Sequence, residues 1–169
     1  MTRPSSLFSA LALALSLLLA GAALAADAPA TPPGAPAGSV KNISGTARLI
    51  RGGGEAVALN PGDRVFEKDV LVTGPDGSLG VVLRDDTVLS LGPGARLVIE
   101  KFLFDPARGA LAQTLRLTRG SMAAVSGAIV KLNPAAAKVE TPLYTIGIRG
   151  THILVNMEPG HETPEEAAQ

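Results

Sequence analysis

An all-β fold is predicted by three features of this chain. Short runs of Val, Ile, Leu and Thr recur along it, turn residues separate them, and no long helical periodicity appears beyond the N-terminal apolar run. The runs follow one another every roughly 8 to 12 residues, the spacing of a sandwich, barrel or coil of short strands. The 19 Gly and 13 Pro residues supply the breaks between them.

Gly52-Gly53-Gly54 sits between strand-like runs and reads as a hairpin turn. Val70–Thr73 is a strand, followed by the turn Gly74-Pro75-Asp76-Gly77, whose Asp-Gly pair is a hairpin signal. Strands over 79–83 and 87–91 flank Arg84-Asp85-Asp86, and Gly92-Pro93-Gly94 ends the second of them. Strands over 95–102 and 110–117 flank Asp105-Pro106-Ala107-Arg108-Gly109. The near-regular repeat between Val70 and Ile99 suits short strands in a β-helix-like roll, each unit stacked on the last. It equally suits a sandwich in which each turn reverses the chain. Asp85-Asp86 and Gly92-Pro93-Gly94 serve as corners in the first arrangement and as reversals in the second.

The two ends differ in kind from this middle. Arg3, an uncharged Leu/Ala run and Ala23-Leu24-Ala25 have the layout of a secretory signal peptide over residues 1–25. An uncleaved membrane anchor is the rival reading, because the apolar stretch just reaches bilayer length. Residues 26–39 form an Ala/Pro-rich linker with little to bury, and residues 157–169 a polar tail with Glu158, Glu162, Glu165 and Glu166, expected to be disordered. The folded domain is expected over 40–156. Export makes the protein periplasmic or secreted.

Composition removes whole classes of chemistry. There is no Cys, so disulfides, thiol nucleophiles and thiolate metal sites are excluded together. With 15 basic and 15 acidic residues there is no general cationic character for nucleic acid. Four Phe, one Tyr and no Trp leave few faces for stacking bases or sugars.

The segment 141–155 is the most informative stretch. It places Arg149-Gly150-Thr151 between apolar alternations, Leu143, Ile146 and Ile148 before it, Ile153 and Val155 after it. A Gly inside such a pattern marks a bulge, a bend or a close backbone approach. It reads as the close of an all-β module carrying one cation at a special backbone position.

Several of these pieces occur together in one known family. Gly62-Asp63, Asp69 to Thr73, Asp76 to Leu83 and Thr87 to Leu91 resemble the FecR domain, the periplasmic region of ferric-citrate-type regulators. Leu117-Thr-Arg-Gly-Ser-Met122 resembles the strand-turn-strand that follows in that family. Val139-Glu-Thr-Pro142 with Gly147-Ile-Arg-Gly-Thr151 resembles its closing motif, the most specific piece. The resemblance implies an all-β extracytoplasmic domain that acts through protein contacts without catalysis. The six residues ahead of the apolar run are too few for the sigma-factor-binding segment of the full regulators. A stand-alone, exported member is therefore expected.

Arg149 is a fork-shaped donor suited to a partner carboxylate. The competing reading, which the resemblance favours because it carries the motif whole, is structural. Arg149 then satisfies an internal carbonyl or carboxylate while Gly150 permits a bend, and Gly150→Val costs several kcal/mol. Asp85 and Asp86 read as solvated turn residues rather than an acid/base pair. Asp63, Asp69 and Asp76 lack the spacing of a calcium loop. His152 reads as an outward strand residue, and His161 lies in the tail, too far for a zinc set. Ser78, Ser90, Ser121 and Ser126 have no nucleophile setting. Phe102-Leu103-Phe104 reads as core, with an exposed apolar edge as its alternative.

The expectation is therefore a protein that is not an enzyme, without cofactor or metal. It is a non-catalytic periplasmic interaction module, taking part in envelope sensing or signalling through an envelope or periplasmic protein partner. The alternative is a structural or assembly scaffold of the cell envelope. Nucleic acid is not expected as a partner, and membrane contact only if the N-terminal segment stays uncleaved. Arg149, Gly150 and Thr151 are the candidate motif, structural or partner-binding.

Overall fold

The computed structural model describes residues 34–157. The expected signal peptide, the linker up to Pro33 and the tail from Glu158 lie outside the described residues. The first strand, β1 (Gly38–Ser44), starts two residues ahead of the expected domain boundary, and Ala37 before it is already buried. It is followed by β2 (Ala47–Ile50), β3 (Ala56–Ala58), β4 (Arg64–Val65), β5 (Val70–Thr73), β6 (Ser78–Leu83) and β7 (Val88–Leu91). Then come β8 (Arg96–Asp105), β9 (Ala110–Val125), the short helix α1 (Ala128–Leu132), β10 (Ala137–Glu140), β11 (Thr145–Gly147) and β12 (His152–Met157). The all-β expectation holds.

The strands pair as one curled sheet whose two halves share β9. One half runs β4-β1-β6-β7-β9-β12 and the other β3-β2-β5-β8-β9-β10-β11. All pairings are antiparallel except β10 on β9, so neighbouring strands reverse rather than coil. Yet the chain also crosses repeatedly from one half to the other, and the crossings stack. Gly74 N–H donates to Thr46 O (2.8 Å), Gly94 N–H to Gly74 O (2.8 Å), and Gly92 N–H to Ser121 O (3.0 Å). The regular spacing seen in the sequence is that of two such corners, at 74–77 and 92–94, with the β6–β7 hairpin at 84–86 between them.

Two turns therefore differ from their expected roles. Asp76-Gly77 is not a hairpin, because β5 and β6 lie in different halves; it is a corner turn closed by Gly77 N–H to Gly74 O (3.0 Å). A Cβ on Gly77 would lie 2.2 Å from Thr46 O, so the glycine serves close backbone approach. The segment 117–122 is not strand-turn-strand. β9 continues through it as a single 16-residue strand, bent at Gly120 (φ 78), which carries it from one half to the other against Ala95.

The alternation legible in the sequence becomes rows of side chains on the inner faces. Leu79, Leu91, Met122 and Val155 are cross-strand neighbours in one half; Leu49, Leu71, Leu97 and Leu117 are in the other. All except Leu49 are buried. Burying each such side chain contributes about 1.5–3 kcal/mol, which lets the fold hold without disulfides. In the Phe102-Leu103-Phe104 run, the two Phe side chains are half-buried against the core while Leu103 is exposed.

Two buried carboxylates hold the loops between strands. Asp69, 1 % exposed, accepts from Arg51 Nε and Nη2 (2.8 Å each) and from Phe66 N–H (2.8 Å). The Arg51 guanidinium also lies 4.7 Å over the Phe66 ring, and its pKa is raised, chiefly by the hydrogen bonds to Asp69. The expectation of two solvated turn aspartates holds for Asp86 alone. Asp85 is fully buried: its carboxylate accepts from Thr87 N–H (3.2 Å), Thr87 Oγ1 (2.8 Å) and Ile129 N–H (3.4 Å). Its own carbonyl accepts from Ala128 N–H (2.6 Å), so the β6–β7 hairpin holds the start of α1.

Candidate functional site

The closing motif is built from the last four strands. Val139 is buried and sets β10 parallel to β9. Glu140 ion-pairs with Arg116 of β9 (3.0 Å) and with Lys138 (2.7 Å), and Arg116 reaches Glu100 (2.9 Å), which also holds Lys68 (2.8 Å). This exposed network holds the Glu140 carboxyl below the usual carboxylate range, first through Lys138 and then through Arg116. Thr141 closes the turn into β11: its N–H and hydroxyl both donate to Tyr144 O (2.9 and 3.0 Å). Ile148 is buried and its N–H donates to Ala137 O (3.1 Å), which pins the chain just before Arg149.

Arg149, Gly150 and Thr151 then form the exposed connection into β12. Thr151 O accepts from Ser126 N–H (2.8 Å), fixing the far end of the connection. The three residues make one wall of an open groove of about 520 Å³; Val130, Lys131, Asn133, Pro134 and Ala135 make the other. Arg149 forms no ion pair with a described residue, and neither does Lys131. The internal acceptor expected for Arg149 is thus not among the described residues. Both cations are exposed on the groove.

Gly150 has φ 115, a region that favours glycine, but no heavy atom lies within 4 Å of the position a Cβ would take. The cost of a side chain there is backbone strain without a clash. Gly150→Val is expected to lower stability by about 2 kcal/mol, less than the several kcal/mol read from the sequence. Urea unfolding of the variant checks this, and an unchanged midpoint would remove any backbone role for the glycine.

The other singled-out residues are dispersed. Asp63 accepts from Asn60 N–H (2.7 Å), Asp69 is held by Arg51, and Asp76 lies in a corner turn. No group of three or more metal-ligating side chains occurs among the described residues. His152 is exposed on β12, and His161 lies outside the described residues. Ser126 is buried between the end of β9 and α1, while Ser78, Ser90 and Ser121 sit on separate strands. Lys131 was missed as a member of the site. Only the helical turn, hidden between two strand signals, brings it opposite Arg149.

The fold and this surface define an all-β module whose most distinctive exposed feature is a groove rimmed by two cations, made by the motif that closes the domain. The sequence model of the family described as FecR protein matches residues 69–164, more than half of the chain, so the chain belongs to the FecR family. That family is regulatory and non-enzymatic. The match begins at Asp69, so β1 to β4 lie outside it. No curated protein and no solved structure matches the chain.

Proposed function

We propose that this protein is an exported, non-catalytic interaction module that takes part in envelope signalling by binding a protein partner through the Arg149 groove. The observation that carries the reading is the exposed position of Arg149 and Lys131 on one groove, neither ion-paired among the described residues, in a chain of a regulatory family. A planar guanidinium takes a carboxylate through two parallel hydrogen bonds, and such pairs set specificity as well as affinity. The partner segment is therefore acidic. Export rests on the signal-peptide layout of residues 1–25; fractionation followed by intact mass is expected to find a periplasmic species starting near Ala26.

Deleting the gene is expected to change a stimulus-dependent transcriptional response while envelope integrity is unchanged. Arg149→Glu is expected to reproduce the deletion, although the variant accumulates and melts as the wild type does, because the side chain is exposed and makes no ion pair within the described fold. A deletion that weakens the envelope and leaves transcription unchanged would replace signalling with a scaffold role. A fully functional Arg149→Glu variant would move the partner surface elsewhere.

A further inference from the structure

Beyond the groove, β12 carries a second surface. The strand pairs with β9 on one side, and no described strand pairs with its other side. The bond from Ser126 N–H to Thr151 O (2.8 Å) makes Val125 and His152 a non-hydrogen-bonded pair. Antiparallel strands alternate such pairs with hydrogen-bonded ones. The backbone groups of Ile153, Val155 and Met157 therefore face β9, while the N–H and C=O of His152, Leu154 and Asn156 face away from it. Natural edge strands are ordinarily blunted by Lys, Pro or a bulge. Residues 152–157 contain none of these, and no Asp, Glu or Arg.

We propose that this edge pairs with the same edge of a second copy, antiparallel about a two-fold axis through Leu154. Three observations select a second copy as the occupant. Among the described residues of the edge, pairing 154 with 154 and 152 with 156 satisfies the outward groups of 152, 154 and 156 in both chains at once. The strand has no fixed charge, so the symmetry brings no like charges together. The side chains of these three residues also share the outer face. Leu154, 77 % exposed, meets its own counterpart there beside the apolar hollow of Val88, Ala123 and Val125. Six residues of edge bury too little for a tight complex, so the dimer is weak and concentration-dependent.

The test uses the full chain in sedimentation velocity over a concentration series. Wild type is expected to shift from monomer to dimer, and Leu154→Lys and Leu154→Glu each to weaken the dimer at least tenfold. An equimolar mixture of the two is expected to recover it, because the two-fold axis places Lys against Glu. The exposed site keeps both variants folded, which their thermal midpoints check. In wild type, the Leu154 amide is expected to exchange more slowly with deuterium as concentration rises. A wild-type monomer at all concentrations would overturn the proposal. So would dimers indifferent to both substitutions, or a mixture that stays monomeric.

Discussion

Gly127→Ala is expected to unfold the protein or to lower its stability by about 4 kcal/mol or more, the range reserved for a few severe mechanisms. A Cβ at position 127 would lie 2.1 Å from Asp85 O and 2.5 Å from Thr87 N. Both are backbone atoms, so no side chain can swing aside. The methyl group would push the hairpin away from the start of α1 and break the bonds that join them: Ala128 N–H to Asp85 O and Gly127 N–H to Thr87 Oγ1 (3.1 Å). Asp85→Ala keeps the Asp85 carbonyl but takes away the carboxylate bonds at the same junction. It leaves Thr87 N–H and Ile129 N–H without their carboxylate in a buried setting, at a cost of about 3 kcal/mol. Asp85→Asn keeps the acceptor oxygen and is expected to cost less. Urea unfolding of the three variants gives the order, and a Gly127→Ala protein as stable as wild type would contradict the geometry of this junction.

The second large effect is expected at Asp69. Its carboxylate is almost wholly buried and accepts three hydrogen bonds, two from the Arg51 fork and one from Phe66 N–H. Asp69→Ala is expected to cost about 3 kcal/mol, because the partly exposed Arg51 fork loses its partner and the buried Phe66 amide is left unsatisfied. Arg51→Ala is expected to cost at least as much: the charge left behind is then the buried one, and the contact over Phe66 goes with it. Arg51→Lys keeps the charge but not the fork, so it recovers only part of the loss. Chemical denaturation of these variants and of the double replacement by Ala measures the coupling. Additive losses would show that the two side chains act independently.

Much of the fold was legible because its strands obey alternation. Leu79, Val81 and Leu83 point inward, as do Leu89 and Leu91, and their spacing of two residues is visible in the chain itself. Corners were harder to read. Asp76-Gly77 and Gly120 use glycine for close approach between segments distant in sequence, and the same letters also signal hairpins and turns. Asp85 was misread for a related reason. A polar turn residue looks solvated unless the amides that satisfy it are known, and here one is supplied by Ile129, 44 residues away. Of the candidate site, the closing motif was legible as Arg149-Gly150-Thr151. Its opposite wall was not, since α1 is only five residues long and too short to impose helical periodicity.

The most direct measurement is site-specific photocrosslinking in living cells, with the photoreactive side chain placed at Ala135 on the groove wall and, as a control, at the exposed Val57 of β3. If the groove binds a protein partner, Ala135 yields one discrete adduct that Arg149→Glu abolishes, while Val57 does not yield that adduct. An adduct from Val57 and none from Ala135, or an Ala135 adduct indifferent to Arg149→Glu, would contradict the assignment of partner binding to this groove.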